Sequence, residues 1–150
     1  MVSTLTDQSV KPAIENTDKK LILVAEDDIF YAKIYQSKLT AEGFDVDVVP
    51  NGDEALKHIN EKIPDLLLLD LIMPIKDGFQ VLESLRNNDK YKDLKVIVLS
   101  NLGQEEDIKK AKTYGVTDYL VKADISIQDL IKKVNDILNQ QTIATLPSAP

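Results

Sequence analysis

Short apolar runs alternate with longer amphipathic segments through the middle of the chain. Five of these runs have the length and composition of β-strands: LILVA at Leu21, DVDVV at Asp45, DLLLLD at Asp65, KVIVLS at Lys95 and DYLVK at Asp118. Apolar and β-branched runs of this length, bounded by polar residues, are typical of strands. Because strands that alternate with helices form parallel sheets with right-handed crossovers, the pattern predicts an α/β fold.

The segments between the runs have helical spacing. In the last of them a Ser126 cap precedes one apolar stripe made of Ile127, Leu130, Ile131, Val134, Ile137 and Leu138. The first helix has its apolar positions at Phe30, Tyr31, Ile34, Tyr35 and Leu39. The second and third helices are predicted to begin at the turn-forming pairs Asn51-Gly52 and Asp77-Gly78. The fourth, QEEDIKKAKTYG, has little apolar face beyond Ile108 and Ala111, so we expect it to pack loosely.

The strand order follows from how apolar each strand is. In the second strand Asp45 and Asp47 alternate with valines, which is typical of an edge strand, whereas the first, third and fourth strands are apolar throughout. This pattern favours a (βα)5 doubly wound, flavodoxin-like sheet with five parallel strands in the order 2-1-3-4-5. In such sheets ligands bind beyond the carboxyl ends of the strands, at the switch between the first and third strands.

The length of the chain fits one domain. It has 150 residues, 43% of them hydrophobic, which is enough for a single core. Both ends are polar and lack periodicity, so we expect a disordered leader over residues 1–18, a folded domain over residues 19–140 and a flexible tail or linker stub over residues 141–150. The domain is then either a stand-alone protein or a piece of a longer one.

The charge and composition exclude several classes of function. Acidic residues exceed basic ones by 25 to 18, and the resulting net charge of -7 argues against direct binding to nucleic acid or to anionic membranes. The chain has no cysteine and therefore no disulfide, thiolate metal site or thiol nucleophile. No apolar stretch has the length of a signal peptide core or a membrane span. We expect a cytoplasmic protein without membrane insertion.

Polar side chains follow the strands at the edge where ligands bind. Glu26, Asp27 and Asp28 follow the first strand, and Asp70, Ser100 and Lys122 follow the third, fourth and fifth. Converging carboxylates repel one another unless a cation neutralises them, and an all-oxygen set is typical of a hard divalent ion such as Mg²⁺. A lysine and a hydroxyl beside them indicate phosphoryl chemistry. Asp70 is the candidate nucleophile because it ends the central strand alone, and Glu26 with Asp27 is the candidate metal pair.

Four segments, LILVAEDD, LLLLDLIMPIKDG, VIVLSN and DYLVKAD, resemble the motifs of the response-regulator receiver domain of two-component signalling. The resemblance covers about Lys20 to Leu138 and implies that Asp70 is the phosphoacceptor. It assigns further roles to neighbouring residues: Mg²⁺ binding by Glu26, Asp27 and the backbone carbonyl of Ile72, and contact with the phosphoryl oxygens by Ser100 and Lys122. Asp28 falls one position past the acidic pair and is expected to cap the first helix.

The resemblance also implies partners and a switch. In receivers a sensor histidine kinase or phosphotransfer protein donates the phosphoryl group. The hydroxyl residue, here Ser100, and an aromatic residue on the last strand, here Tyr119, then reorient together. This reshapes the face formed by the fourth helix, fifth strand and fifth helix, which contacts a downstream protein target. Such a domain is not an enzyme in the ordinary sense, because it assists only its own phosphorylation and dephosphorylation.

Three positions depart from the commonest receiver pattern. Lys122 is followed by Ala123 where the family usually has proline, often after a cis bond. Because a cis bond before a non-proline residue costs about 2.5 to 4 kcal/mol, we predict a trans bond here. Asn101 stands where a small residue usually follows the hydroxyl, and its bulk is expected to narrow the access to Asp70. Ser100 replaces the more frequent threonine.

Two apolar positions predict a long-lived phosphorylated state. In receivers the side chains two residues beyond the phosphoacceptor and two beyond the hydroxyl residue flank the path of the attacking water. Here they are Ile72 and Leu102, neither of which can hydrogen-bond a water. We therefore expect slow autodephosphorylation.

Two other functions share parts of this pattern. A metal-dependent phosphohydrolase with an aspartate nucleophile would need a general acid two residues after Asp70, where Ile72 stands, and a cap insertion that the chain lacks. A pseudo-receiver would keep the fold without carrying phosphate, and only Ala123 and Asn101 favour it. The sequence has no glycine-rich phosphate loop, which argues against nucleotide binding.

Several of these residues also have purely structural interpretations. Asp27 and Asp28 could cap the first helix, and Tyr119 could be a half-buried strand aromatic. His58, between Lys57 and Ile59 on the second helix, is interpreted as a solvated surface residue because nothing nearby in the sequence indicates metal binding. For the acidic residues it is the joint pattern with Asp70 and Lys122 that favours chemistry.

Overall fold

The computed structural model describes residues 19–139. Its strands are β1 (Leu21–Ala25), β2 (Asp45–Val49), β3 (Leu66–Leu69), β4 (Val96–Ser100) and β5 (Asp118–Val121). Its helices are α1 (Ile29–Ala41), α2 (Gly52–Glu61), α3 (Gly78–Arg86), α4 (Glu105–Thr113) and α5 (Ile127–Leu138), and a 3-10 turn spans Lys122–Asp124. The predicted leader, the predicted tail and residue 140 lie outside the described residues.

The five strands form one parallel sheet in the order β2-β1-β3-β4-β5, so the predicted topology is confirmed. The register aligns the carboxyl ends of β1 and β3, since Ala25 pairs with Leu69. The next residues, Glu26 and Asp70, therefore leave the sheet side by side. β2 is an edge strand, as its alternating aspartates predict.

The four leucines of β3 are all buried because both faces of the sheet are covered. Leu67 and Leu69 pack on the side of α2, α3 and α4, and Leu66 and Leu68 pack on the side of α1 and α5. Burying one such side chain contributes about 1.5 to 3 kcal/mol relative to leaving it exposed. This double-sided burial makes the central strands a rigid support for the residues at their ends.

Side-chain caps begin four of the five helices. Asp28, Asn51, Asp77 and Ser126 each accept a hydrogen bond from a backbone N–H in the first turn of α1, α2, α3 and α5 respectively. These caps confirm the helix starts predicted at all four positions. The N-cap residue of α4, Gln104, makes no such bond, and Ala111 is the buried residue of that helix. α4 therefore has the small buried face that its sequence predicts.

The opposite end of α4 is anchored by Arg86, the last residue of α3. Its guanidinium donates hydrogen bonds of 2.6 to 3.3 Å to five backbone carbonyls, those of Tyr91, Lys92, Leu94, Tyr114 and Gly115. All five N–H groups of the guanidinium are thus used. The helix is therefore fixed at its carboxyl end and weakly held at its amino end.

Two expectations are wrong. His58 is not a solvated surface residue: its side chain is 20% exposed, and Nε2 lies 2.8 Å from Oδ2 of Asp47 on the neighbouring strand β2. Phe30 does not join the apolar face of α1, because it is 68% exposed whereas Tyr35 and Leu39 are buried. Only the side of α1 that carries Tyr35 and Leu39 packs against the sheet, and Phe30 lies on another side.

Two further expectations concern backbone and membrane. No peptide bond within residues 19–139 is cis, so the bond between Lys122 and Ala123 is trans, as predicted. None of the helices in the described part of the chain combines the length and the apolar character that a membrane crossing requires.

Candidate functional site

Asp70 lies at the centre of the candidate site. Its backbone N–H donates to the Ala25 carbonyl at 3.1 Å, which extends the pairing of β1 and β3 by one residue. Its side chain is buried, and both carboxylate oxygens have partners. Oδ1 accepts from the Ser100 hydroxyl at 2.7 Å and from the Ile72 N–H at 3.2 Å, and Oδ2 accepts from Lys122 Nζ at 2.9 Å.

Lys122 bridges two carboxylates. Its Nζ lies 2.6 Å from Oε1 of Glu26 and 2.9 Å from Oδ2 of Asp70, and its side chain is only 4% exposed. Burial alone lowers the pKa of Lys122, but its hydrogen bonds to Glu26 and Asp70 outweigh burial and raise the pKa overall. The lysine is therefore held in its charged form between the two acids.

Glu26 is a buried acid that lies close to the charged groups of Lys122 and Asp70. Burial raises the pKa of Glu26 to about 6, although the hydrogen bond from Lys122 acts in the opposite direction. Its second oxygen accepts from the Asp28 N–H at 3.1 Å, so the backbone at the start of α1 fixes the carboxylate. Asp28 itself is the N-cap of α1 and turns its side chain to the helix.

Three carboxylates fit a divalent cation. Glu26, Asp27 and Asp70 each offer an oxygen, and these oxygens lie within 4.8 Å of one another. Two of the three acids are buried and Asp27 is exposed, so the group is reachable from solvent on one side. A cluster of oxygen ligands with an open side suits Mg²⁺, which binds through one or two carboxylates and keeps several waters.

An open cavity of about 220 Å³ lies over these carboxylates. Besides the acids, it is lined by Tyr31, Ile72, Asn101 and Lys122. A larger cavity of about 550 Å³ lies along β5 and α5, away from the carboxylates, so size alone does not locate the site. Asn101 borders the smaller cavity, and its effect on the access to Asp70 stays a prediction.

The sequence comparison identifies the family of the chain. A family model described as the response regulator receiver domain matches residues 22–135. The chain belongs to this receiver family. The match begins at the second residue of β1, includes the other four strands and reaches into the last helix, so the residues of the candidate site lie within the matched range.

Individual relatives agree with this assignment. The receiver is 34% identical over 119 residues to the phosphate regulon transcriptional regulatory protein PhoB of Rhizobium meliloti (strain 1021), covering 79% of this chain and 52% of PhoB. The chain spans about half the length of the curated relatives it matches.

Two solved structures share the receiver fold. The receiver domain of the Francisella response regulator 1452 is 34% identical, with a TM-score of 0.75 and coverage of 82% of this chain and 99% of that one. The BeF3-activated N-terminal receiver domain of Klebsiella pneumoniae RstA is 28% identical, with a TM-score of 0.73 and coverage of 80% and 99%.

In this receiver Tyr119 is connected to Asp70 through the loop after β4. The Tyr119 hydroxyl donates to the Leu102 carbonyl at 2.5 Å, and the Leu102 N–H donates to the Ser100 hydroxyl at 3.4 Å. Ser100 in turn donates to Asp70. Burial raises the pKa of Tyr119 to about 12, which keeps its hydroxyl protonated and able to donate.

Two residues of the receiver site were missed by sequence reasoning. A Cβ at Gly78 would clash with the carbonyl oxygen of Asp70 and would lie 2.7 Å from the Leu71 Cα, so only glycine fits there. The Asp-Gly pair was interpreted only as a helix start, although it also carries this signal. The Tyr31 ring faces the Lys122 ammonium, a contact between distant parts of the chain that no local pattern indicates.

Proposed function

We propose that this receiver accepts a phosphoryl group on Asp70, in an Mg²⁺-dependent reaction, from a phosphohistidine of a sensor histidine kinase or phosphotransfer protein. The observation that carries the proposal is the arrangement around one carboxylate. Ser100 and Lys122 each hold one oxygen of Asp70, and Glu26 with Asp27 completes an acidic group beside it. Such an arrangement supplies a nucleophile together with groups that stabilise phosphoryl oxygens.

The transfer needs only small changes at the side chains. An oxygen of the Asp70 carboxylate attacks phosphorus, a new P–O bond forms, and the bond between phosphorus and the donor breaks with its electron pair going to the donor atom. Lys122 and Ser100 already donate to the Asp70 oxygens, so they are in position to follow the charge as it moves onto the phosphoryl oxygens. Because the groups are held before the reaction, little reorganisation is required.

The proposed metal ligands are the carboxylates of Glu26, Asp27 and Asp70 and the backbone carbonyl of Ile72. When bound, Mg²⁺ would offset the negative charge of the acids and of the phosphoryl group. The roles of these residues rest on the oxygen cluster and on their positions in the receiver motifs.

The proposed output is a change in the α4-β5-α5 face that a downstream protein target recognises. Two observations support it: the hydrogen bonds that connect Asp70 through Ser100 and Leu102 to Tyr119, and the weakly held amino end of α4. The BeF3-activated form of the RstA receiver is consistent with a site of this kind accepting a phosphoryl mimic. The domain span of residues 19–140 and the cytoplasmic location stay predictions.

Intact mass after incubation with acetyl phosphate tests the proposal. The bond between phosphorus and the acetyl oxygen breaks, acetate leaves with the electron pair, and Asp70 gains the phosphoryl group. We expect one added phosphoryl group with Mg²⁺, none with EDTA, none in Asp70→Asn, and normal gain in Asp28→Asn, which keeps the helix cap.

Beryllofluoride separates the two explanations of a negative result. If wild type gains no phosphoryl group but binds beryllofluoride in an Mg²⁺-dependent way, the donor fails to pass Asn101 and the site is intact. Failure of both reactions would contradict the proposed function and would favour the pseudo-receiver.

A further inference from the structure

Tyr31 has no role in the proposed chemistry, yet its ring lies against the lysine of the site. The Lys122 Nζ is 4.6 Å from the ring centroid, within the range of a cation–π interaction. Tyr31 is in the first turn of α1 and lines the cavity above Asp70. The aromatic face and the phosphoacceptor thus lie on two sides of the same ammonium group.

The ring occupies the side of the ammonium that the carboxylates leave open. A lysine ammonium has three N–H donors. Among residues 19–139, the hydrogen-bond acceptors recorded for Lys122 Nζ are Glu26 and Asp70, which leaves one N–H to the aromatic face. Since the Lys122 side chain is only 4% exposed, water has little access to take the place of the ring beside the ammonium.

The ring is itself held in place. It stacks on Tyr35 with a centroid distance of 5.9 Å and an interplanar angle of 22°, and Tyr35 is buried in the core between α1 and the sheet. The Phe30 ring packs on it edge-on, with a centroid distance of 5.8 Å. Tyr31 therefore presents a fixed aromatic surface to Lys122.

The two carboxylates that hold Lys122 have other tasks, whereas the ring has none. Glu26 belongs to the oxygen cluster proposed to bind the metal, and Asp70 is the group to be phosphorylated. The backbone offers limited help, because Lys122 begins a 3-10 turn whose next two residues, Ala123 and Asp124, are exposed. Among these contacts of the ammonium, the aromatic face is the one that the proposed chemistry does not itself use.

We propose that Tyr31 is a positioning residue that keeps the Lys122 ammonium directed at the oxygens of Asp70 and of its phosphoryl group. The inference rests on the proposed function, because it concerns the same reaction. In this role Tyr31 acts through Lys122 and takes no part in the bonds that form and break.

Two substitutions separate this role from simple packing. Tyr31→Phe keeps the aromatic face and removes the hydroxyl, whereas Tyr31→Leu keeps an apolar side chain and removes the face. The ring also borders an apolar cavity of about 160 Å³ between α1 and α5, so a residue that only filled space would be replaced by leucine with little effect on Lys122. If the leucine variant does not fold, Tyr31→Met takes its place.

The rate of phosphorylation by acetyl phosphate with Mg²⁺ is the first measurement. We expect Tyr31→Leu to react about fivefold more slowly than wild type, a loss in the range that one cation–π contact supplies, and Tyr31→Phe to stay within about twofold. In a Lys122→Met background, where the ammonium is absent, Tyr31→Leu should cause no further decrease. Equal rates in wild type and Tyr31→Leu, or equal losses in the leucine and phenylalanine variants, would overturn the inference.

A second measurement needs neither metal nor turnover. In EDTA the ¹⁵N signal of the Lys122 ammonium should broaden in Tyr31→Leu, because its protons exchange faster with water, and should stay sharp in Tyr31→Phe. An unchanged signal in Tyr31→Leu would contradict the positioning role. Wild type that gains no phosphoryl group would instead count against the proposed function, so the two failures are distinguishable.

Discussion

The Ser100 hydroxyl donates a 2.7 Å hydrogen bond to Oδ1 of Asp70, and both side chains are buried. A hydrogen bond to a charged group contributes about 1.5 to 3 kcal/mol. We therefore expect Ser100→Ala to lower the free energy of unfolding by about 2 kcal/mol in urea titrations. Ser84→Ala removes an exposed serine of α3 and should change it by less than about 0.5 kcal/mol. Equal small effects would mean that the bond adds nothing to stability.

Gly78 should tolerate no side chain. A methyl group there would clash with the Asp70 carbonyl, so the backbone of the phosphoacceptor must move. We expect Gly78→Ala to slow phosphorylation by acetyl phosphate by at least about tenfold, since misplacing a reacting group by about 1 Å can cost two orders of magnitude. Gly103→Ala is the control, because its nearest neighbour would be Val121 at an ordinary 3.5 Å. A fast Gly78→Ala variant would show that the loop adjusts without moving Asp70.

Mg²⁺ should stabilise the folded protein. The three acids repel one another without a cation, and a ligand that binds only the native state at a hundredfold excess over Kd adds about 2.7 kcal/mol. We expect millimolar Mg²⁺ to raise the melting temperature of wild type and of Asp28→Asn, and Asp27→Ala to lose most of the rise. The same rise in Asp27→Ala would place the metal elsewhere.

The buried Glu26 should make the metal-free protein less stable as the pH rises from about 4.5 to about 6. Burial raises the pKa of Glu26 from its ordinary value of 4.5 to about 6, so the native state binds more protons than the unfolded state in this window. The contribution is about 2 kcal/mol, from 1.36 kcal/mol per pKa unit. Urea unfolding in EDTA should show that Glu26→Gln lacks this decrease relative to wild type. Parallel pH profiles of the two proteins would contradict the assignment.

Ile72 should prolong the phosphorylated state. Its side chain is 54% exposed at the cavity over Asp70 and cannot hydrogen-bond a water that attacks phosphorus. We expect Ile72→Asn to shorten the half-life of the phosphorylated domain, measured by the loss of the added mass after removal of acetyl phosphate. Ile63→Asn, at a comparably exposed isoleucine away from the site, should leave the half-life unchanged. A wild-type half-life of seconds, unchanged or lengthened in Ile72→Asn, would count against the prediction.

The sequence predicts the sheet well because the pattern of polar and apolar residues in each strand indicates whether the strand is at an edge or covered on both faces. The alternation of Asp45 and Asp47 marks β2 as an edge, and the four leucines of β3 mark a strand covered on both sides. Once the order of the strands is known, the residues at their carboxyl ends must meet. The grouping of Glu26 with Asp70 therefore follows from local patterns and topology.

The contacts that sequence reasoning missed depend on packing between elements. The pair of His58 and Asp47 requires the position of α2 over β2, and the contact of Tyr31 with Lys122 requires the start of α1 to lie near the 3-10 turn that follows β5. Helical spacing wrongly assigns Phe30 to the buried face of α1. The spacing of apolar residues does not show how much of the helix surface the rest of the protein covers. These contacts depend on how whole helices and strands are placed relative to one another, and a short segment of sequence carries no information about that placement.

The most direct test of the central claim is to identify the phosphorylated residue. Borohydride reduces an aspartyl phosphate to homoserine, which peptide mass spectrometry then locates in the chain. After treatment with acetyl phosphate and Mg²⁺, we expect homoserine at position 70 and at no other aspartate. Homoserine at Asp27 or Asp28 instead, or at no position in protein that has gained the mass of a phosphoryl group, would contradict the assignment of Asp70 as the phosphoacceptor.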